Sequence, residues 1–137
     1  MRGHDVTMAV VRAYTKLNGS KPKWASQLAS LWYADRVRLL ACADDHFDME
    51  DLKGDCFNPK VNPEIQANTL AMQEAEFEMR VARMGVYGLV GEVKADDGQW
   101  DHVDSCWGFV GEDYLGSGYD ADIARATIEA IVKAGVA

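Results

Sequence analysis

Beyond Gly85 the hydrophobic period of the chain changes. Val86, Tyr87, Leu89, Val90 and Val93 precede Ala95-Asp96-Asp97-Gly98, and Trp100, Val103, Trp107, Phe109 and Val110 follow it. β-rich runs on either side of Asp-Gly are the pattern of a hairpin, because that dipeptide accepts the positive φ values of a tight two-strand turn. An isolated hairpin is marginal in water, so the flanking segments must cover it. One flank, Ile65 to Met84, contains no Gly or Pro, begins behind Asn62-Pro63-Glu64 and stops at Gly85, which predicts a long helix. Glu76 and Arg80 within it are spaced to pair. The other flank opens at Tyr119-Asp120, carries Ile123, Ile128, Ile131 and Val132, and stops at Gly135. The expected fold class is α+β: an antiparallel β-hairpin or small sheet over 86–110, packed by helices over 63–84 and 120–134. Trp107 and Phe109, two apart on one strand, would project to one side and enter the core. Gly108 and Gly111 read as a bulge or a close backbone approach.

The first forty residues read as two helices. Asp5 is placed to cap one that carries Val6, Val10, Ala13 and Leu17 and stops at Asn18-Gly19. Pro22 opens the second, along which Trp24, Leu28, Leu31, Trp32, Asp35 and Leu39 trace one stripe. After Cys42 come Asp44, Asp45, Asp48, Glu50, Asp51 and Asp55, then an Asn/Pro-rich connection over 58–63. At 137 residues, without repeats or a long linker, the chain is expected to form one domain. It divides into a basic helical segment, 1–41, and an acidic helix-hairpin-helix segment, 42–137.

The net charge of −8 conceals that division: residues 1–41 hold seven Lys/Arg against Asp5 and Asp35, or +5, and the remainder holds seven against twenty, or −13. Most of the molecule would repel nucleic acid. Met1 to Val11 has no apolar run behind a basic segment, and nothing approaches the roughly 20 apolar residues of a bilayer span, so no membrane partner is expected. Cys42, Cys56 and Cys106 are odd in number and widely spaced, as in a reduced cytoplasmic protein with free thiols.

The residues offer five candidate chemistries. Cys42/His46 and His102/Cys106 suggest zinc ligands, but on a strand the second pair would lie about 13 Å apart, too far for one ion. Cys106 with His102 or His46 lacks any cysteine-hydrolase signature, and beside Trp107 and Phe109 it reads as a buried thiol. Gly116-Ser117-Gly118 between strand and helix is a phosphate-loop position without a phosphate-loop motif, crowded by Glu112, Asp113, Asp120 and Asp122. Those carboxylates, with Asp104, are also the candidates for a metal-dependent phosphodiesterase. Lys16, Lys21, Lys23, Arg36 and Arg38, interleaved with Trp24 and Trp32, are the candidates for a nucleic-acid-binding regulator. The expectation is a non-enzymatic protein without catalytic residues, metal or cofactor.

Asp51-Leu52-Lys53-Gly54-Asp55-Cys56-Phe57, Asn62-Pro63-Glu64, Gly85-Val86-Tyr87-Gly88, Val103-Asp104-Ser105-Cys106-Trp107-Gly108-Phe109-Val110-Gly111 and Gly116-Ser117-Gly118-Tyr119-Asp120 carry a resemblance over roughly 44–134. Together they resemble small proteins of phages, plasmids and integrative elements. The resemblance implies an inhibitor of host defence, of the anti-CRISPR or antirestriction type, acting in the cytoplasm of a bacterial host on a protein or ribonucleoprotein defence complex. Asp44, Asp45, Asp48, Glu50, Asp51, Glu112 and Asp113 are then the candidate partner-binding residues, forming an acidic patch around an aromatic anchor.

Overall fold

The computed structural model describes residues 3–135 and, of Asp55, the backbone alone. Its elements run β1 (His4–Asp5), α1 (Thr7–Asn18), α2 (Lys23–Tyr33), β2 (Val37–Ala43), α3 (Met49–Lys53) with a 3₁₀ turn (Gly54–Phe57), α4 (Ala67–Met84), β3 (Val86–Lys94), β4 (Trp100–Val110) and α5 (Tyr119–Lys133). The four strands form one antiparallel sheet in the order β1-β2-β3-β4. The fold class is therefore α+β, and the hairpin, the helix ending at Gly85 and the final helix all form. Among the described residues no helix is long and apolar enough to cross a membrane.

The sheet is larger than the hairpin because the expected second helix ends early. α2 closes at Tyr33, and Leu39, the last residue of its supposed stripe, lies in β2. The stop is made by Asp35, the only non-glycine residue among those described with positive φ, at 61°. Its N–H donates to the Trp32 carbonyl at 2.9 Å, and the N–H of Arg36 donates to the Leu31 carbonyl at 2.9 Å. That pair of bonds is the Schellman closure usually built on glycine; aspartate tolerates the left-handed region better than most residues, so no glycine signals the break. β2 then runs antiparallel to β3 from Val37 opposite Val93 to Ala43 opposite Tyr87. Val37, Leu39, Leu40 and Ala41 are all buried, and a short run apolar on both faces has no periodicity to separate strand from helix.

The covering helices also differ from expectation. α1, α2 and α5 pack on one face of the sheet, where Val10, Val11, Leu28, Leu39, Leu89, Ile123 and Ile131 belong to one core cluster. The N-cap of α1 is Val6 rather than Asp5, which lies one residue earlier in β1 and accepts from the Thr7 N–H at 2.9 Å; Gly19 ends the helix with φ 74°. α5 comes so close to β3 that a Cβ on Gly91 would meet Thr127 Oγ1 at 2.2 Å. α4 instead begins at Ala67, four residues after Pro63, and does not blanket the sheet. Val81 is its one buried residue, joining Val86 and Val110 in a small cluster bordered by Phe47, Met49, Leu52 and Phe77. Turns fill the preceding connection, with the Asn58 carbonyl accepting from the N–H groups of Val61 and Asn62.

The assignment of 37–43 to an interior strand has a direct consequence. Leu39→Ala should lower the stability measured by urea unfolding by about 2–5 kcal/mol, the usual loss at a fully buried leucine. Met72→Ala on the exposed side of α4 should stay within about 0.5 kcal/mol of the parent.

Candidate functional site

β4 does not pair regularly with β3. Tyr87 faces Phe109 and Leu89 faces Cys106, so Gly88 alone lies opposite the two residues Trp107 and Gly108. A second irregularity lies between Gly91 and Glu92. The bulge at Gly108, where φ is 92°, interrupts the alternation of side chains. Cys106 and Phe109, three apart, thereby both pack against the main core, and Trp107 turns to the opposite face. Neither residue is fully buried as expected: Phe109 is half-buried and packs against the core, and Trp107 is not a core residue, being 49% exposed. Its ring occupies the space above Gly88, where an added Cβ would clash with the indole. Farther along this face Arg38 pairs with Glu92 at 2.8 Å and stacks over Trp100, 4.0 Å from its centroid.

Trp107 and Gly108 form one wall of a groove of about 390 Å³, whose other walls are Asp44, His46, Phe47, Asp48, Asp51 and Leu52. The chain leaving β2 is tied to the sheet by the Asp44 N–H donating to the Val86 carbonyl at 2.8 Å. Asp44 Oδ1 then accepts from the His46 N–H at 3.0 Å, and Asp48 Oδ1 accepts from the Glu50 N–H at 2.8 Å as the cap of α3. Phe47, Met49 and Leu52 hold the segment down on the small cluster. Asp44, Asp48 and Asp51 form no ion pair among the described residues. The nearby cation, Lys53, is committed elsewhere: its ammonium lies 2.8 Å from Glu78, 3.3 Å from Glu50 and 3.7 Å from Glu74. The hydrogen bond to Glu78, aided by Glu50, raises its pKa against a smaller desolvation penalty.

The seven candidate residues thus fall in four environments. Asp44, Asp48 and Asp51 share the groove; Asp45 and Glu50 are exposed beside it, Glu50 at Lys53. Asp113 is held by Arg80 through two bonds of 2.6 and 2.7 Å, which keep its carboxyl below the usual range. Glu112 borders a different groove. Sequence reasoning missed Trp107 as a surface residue, and the only sign of it was Gly108 one position later.

Among the described residues no three His, Cys, Asp or Glu side chains are grouped to hold a metal ion, and the carboxylates named for a phosphodiesterase do not converge. Burial and the Asp104 charge raise the Cys106 pKa, keeping its thiol protonated against the opposing Trp107 N–H. In the Gly116-Ser117-Gly118 turn the two glycine amides already have a carboxylate partner, and the Ser117 N–H donates to the Tyr114 carbonyl. Asp120, fully buried, accepts from Gly116 N–H at 2.9 Å, Gly118 N–H at 3.2 Å, Ala121 N–H at 3.0 Å and the Tyr14 hydroxyl at 2.6 Å. The basic segment is similarly committed in part. Arg38 is paired, Trp32 Nε1 donates to Asp5 at 2.9 Å, and Trp24 packs edge-on to Tyr14, while Lys16, Lys21 and Lys23 remain exposed around the α1–α2 turn.

Comparison of the chain with protein-family models, with curated proteins and with solved structures found no match.

Two measurements check this geometry. Trp107→Ala should cost about 1.5–2.5 kcal/mol, half of the ~3–5 kcal/mol of a buried aromatic, and leave the fold intact; Gly88→Ala should displace the indole and move its 5-fluorotryptophan resonance. In the turn, burial, then the hydrogen bond and charge of Asp120, push the Tyr14 pKa from 10.0 up to about 12. A proton held more tightly in the folded state stabilises below pH 10 and loses that contribution as pH rises towards about 12. Alkaline unfolding of Tyr14→Phe should therefore show a shallower decline across that window than the parent.

Proposed function

We propose that this protein is a non-catalytic binding protein that docks a basic surface of a nucleic-acid-handling complex through the groove beside Trp107. The observation that carries the reading is a half-exposed indole in a groove whose three carboxylates, Asp44, Asp48 and Asp51, form no ion pair among the described residues. Aromatic anchors supply much of the binding energy of protein interfaces, and uncompensated like charge around one selects an oppositely charged partner and accelerates encounter. The same charge disfavours phosphate, so a basic protein groove that ordinarily receives nucleic acid is the complementary surface. The resemblance to proteins of phages, plasmids and integrative elements makes a bacterial defence complex, CRISPR effector or restriction enzyme, the partner to test first. Such an inhibitor acts in the host cytoplasm.

The test is affinity capture from a bacterial host followed by measured binding to the recovered complex. Asp44→Lys with Asp48→Lys and Asp51→Lys should weaken that binding by roughly tenfold or more, and added salt should weaken the parent. Trp107→Ala should cost about 2 kcal/mol or more of affinity, as at an interface hot spot. A defence complex bound equally well by the charge-reversed protein would overturn the groove. Tight binding to naked DNA with a steep negative salt slope would instead identify a regulator acting through the Lys16, Lys21 and Lys23 end, and turnover of a nucleic acid would make the protein an enzyme.

A further inference from the structure

A second groove opens at the same end of the sheet, on the face that the helices cover. It has a volume of about 400 Å³, within the range of roughly 300–1,000 Å³ that small-molecule clefts occupy, and Tyr114, Tyr87, Arg83, Glu112, His4 and Met84 border it. Its floor is unusual in one respect. Tyr114 is 2% exposed and belongs to the main core, where its ring packs edge-on to Phe109 with centroids 6.2 Å apart. Its backbone carbonyl accepts from the Ser117 hydroxyl, but its own hydroxyl has no partner among the described residues. Every side-chain polar atom among them that is wholly shut off from solvent does have one. The Tyr114 hydroxyl is therefore not wholly shut off from solvent, and this groove is an opening that the residue lines. A buried phenol ending in an otherwise unfilled donor-acceptor position loses hydrogen bonding unless water or a ligand supplies it.

The charges around that floor are of both signs and are not spent on each other. Arg83 and Glu112 border the same groove, yet neither enters an ion pair among the described residues, while the neighbouring Arg80 and Asp113 are joined to one another. A simple anion would meet Arg83 but also the Glu112 carboxylate; a simple cation would meet the reverse. A ligand that carries both charges a few ångströms apart satisfies the two together. Tyr87, whose ring stands edge-on to His4 at 6.5 Å, and the Met84 side chain add apolar surface beside them.

We propose that this groove binds a small zwitterion of the α-amino-acid type, its carboxylate held by Arg83 and the Tyr114 hydroxyl and its ammonium group by Glu112. Burial, the Glu112 charge and Tyr87 raise the Tyr114 pKa, so the phenol stays protonated and presents a donor to a carboxylate at neutral pH. The site lies on the opposite face of the sheet from the Trp107 groove and stands or falls without it.

Calorimetric titration of the full chain with free proteinogenic L-amino acids, each up to ~10 mM, tests the proposal. At least one should bind and shift the backbone amide resonances of Gly111, Glu112 and Tyr114. Its N-acetyl and carboxamide derivatives, each lacking one charge, should bind roughly tenfold more weakly or worse, as should the free amino acid to Arg83→Gln, Glu112→Gln and Tyr114→Phe. Tyr114→Phe should keep the parent's melting temperature, because no intrachain bond is lost. The proposal is overturned if no amino acid binds, if the neutralised derivatives bind as well as the zwitterion, or if Tyr114→Phe binds undiminished. A large loss of melting temperature in Tyr114→Phe would equally overturn it, by showing that the hydroxyl serves the fold.

Discussion

Opposite Gly88 the fourth strand has two residues, Trp107 and Gly108, where regular pairing has room for one. The surplus residue changes which side chains share a face. Cys106 and Phe109 reach the core together, with Leu89 and Tyr87 as their partners across the ladder, and Trp107 is expelled to the other side. Gly88 completes the arrangement by leaving the indole the space above it. Without the bulge, Trp107 and Phe109 would point the same way, one face would be overfilled, and the acidic segment after β2 would have no aromatic wall beside it.

That acidic segment owes its character to how its few cations are used. Lys53 is surrounded by Glu50, Glu74 and Glu78, and Arg80 is spent on Asp113 rather than on Glu76, the partner its helical spacing suggested. Exposed pairs of this kind contribute little to stability, but they decide which carboxylates remain uncompensated. Asp44, Asp48 and Asp51 do, and their turn and cap bonds to backbone N–H groups hold two of them in place at the groove.

The other end of the carboxylate inventory shows the opposite solution. Asp120 is wholly buried and takes four hydrogen bonds, three from backbone amides and one from Tyr14, a residue 106 positions earlier. A carboxylate surrounded by donors in this way closes the glycine turn on itself, so a loop with the composition of an anion site is filled by the protein's own anion. The turn thus fastens α5 to α1 rather than opening a pocket.

What could be read from the amino-acid sequence was local. The hairpin about Asp97-Gly98, the stop of α1 at Gly19, the helix that stops at Gly85 and the helix from Tyr119 each depend on residues within a turn or two of one another, and all four are present. The acid-rich stretch after Cys42 was equally plain as composition. Tertiary structure decided the rest. Val37–Ala43 became an interior strand because Asp35 adopts a left-handed conformation without a glycine to announce it, and because both faces of that run are buried by segments distant in the chain. Trp107 reached the surface because strand register, not the strand's own alternation, sets the direction of its side chain. Pairing of charges between Arg80 and Asp113, 33 residues apart, and of Lys53 with Glu78 then selected which acidic groups stay free. Local conformational preference is encoded by neighbours; burial, register and ion pairing arise only when remote segments meet, which is why the elements were legible and the grooves between them were not.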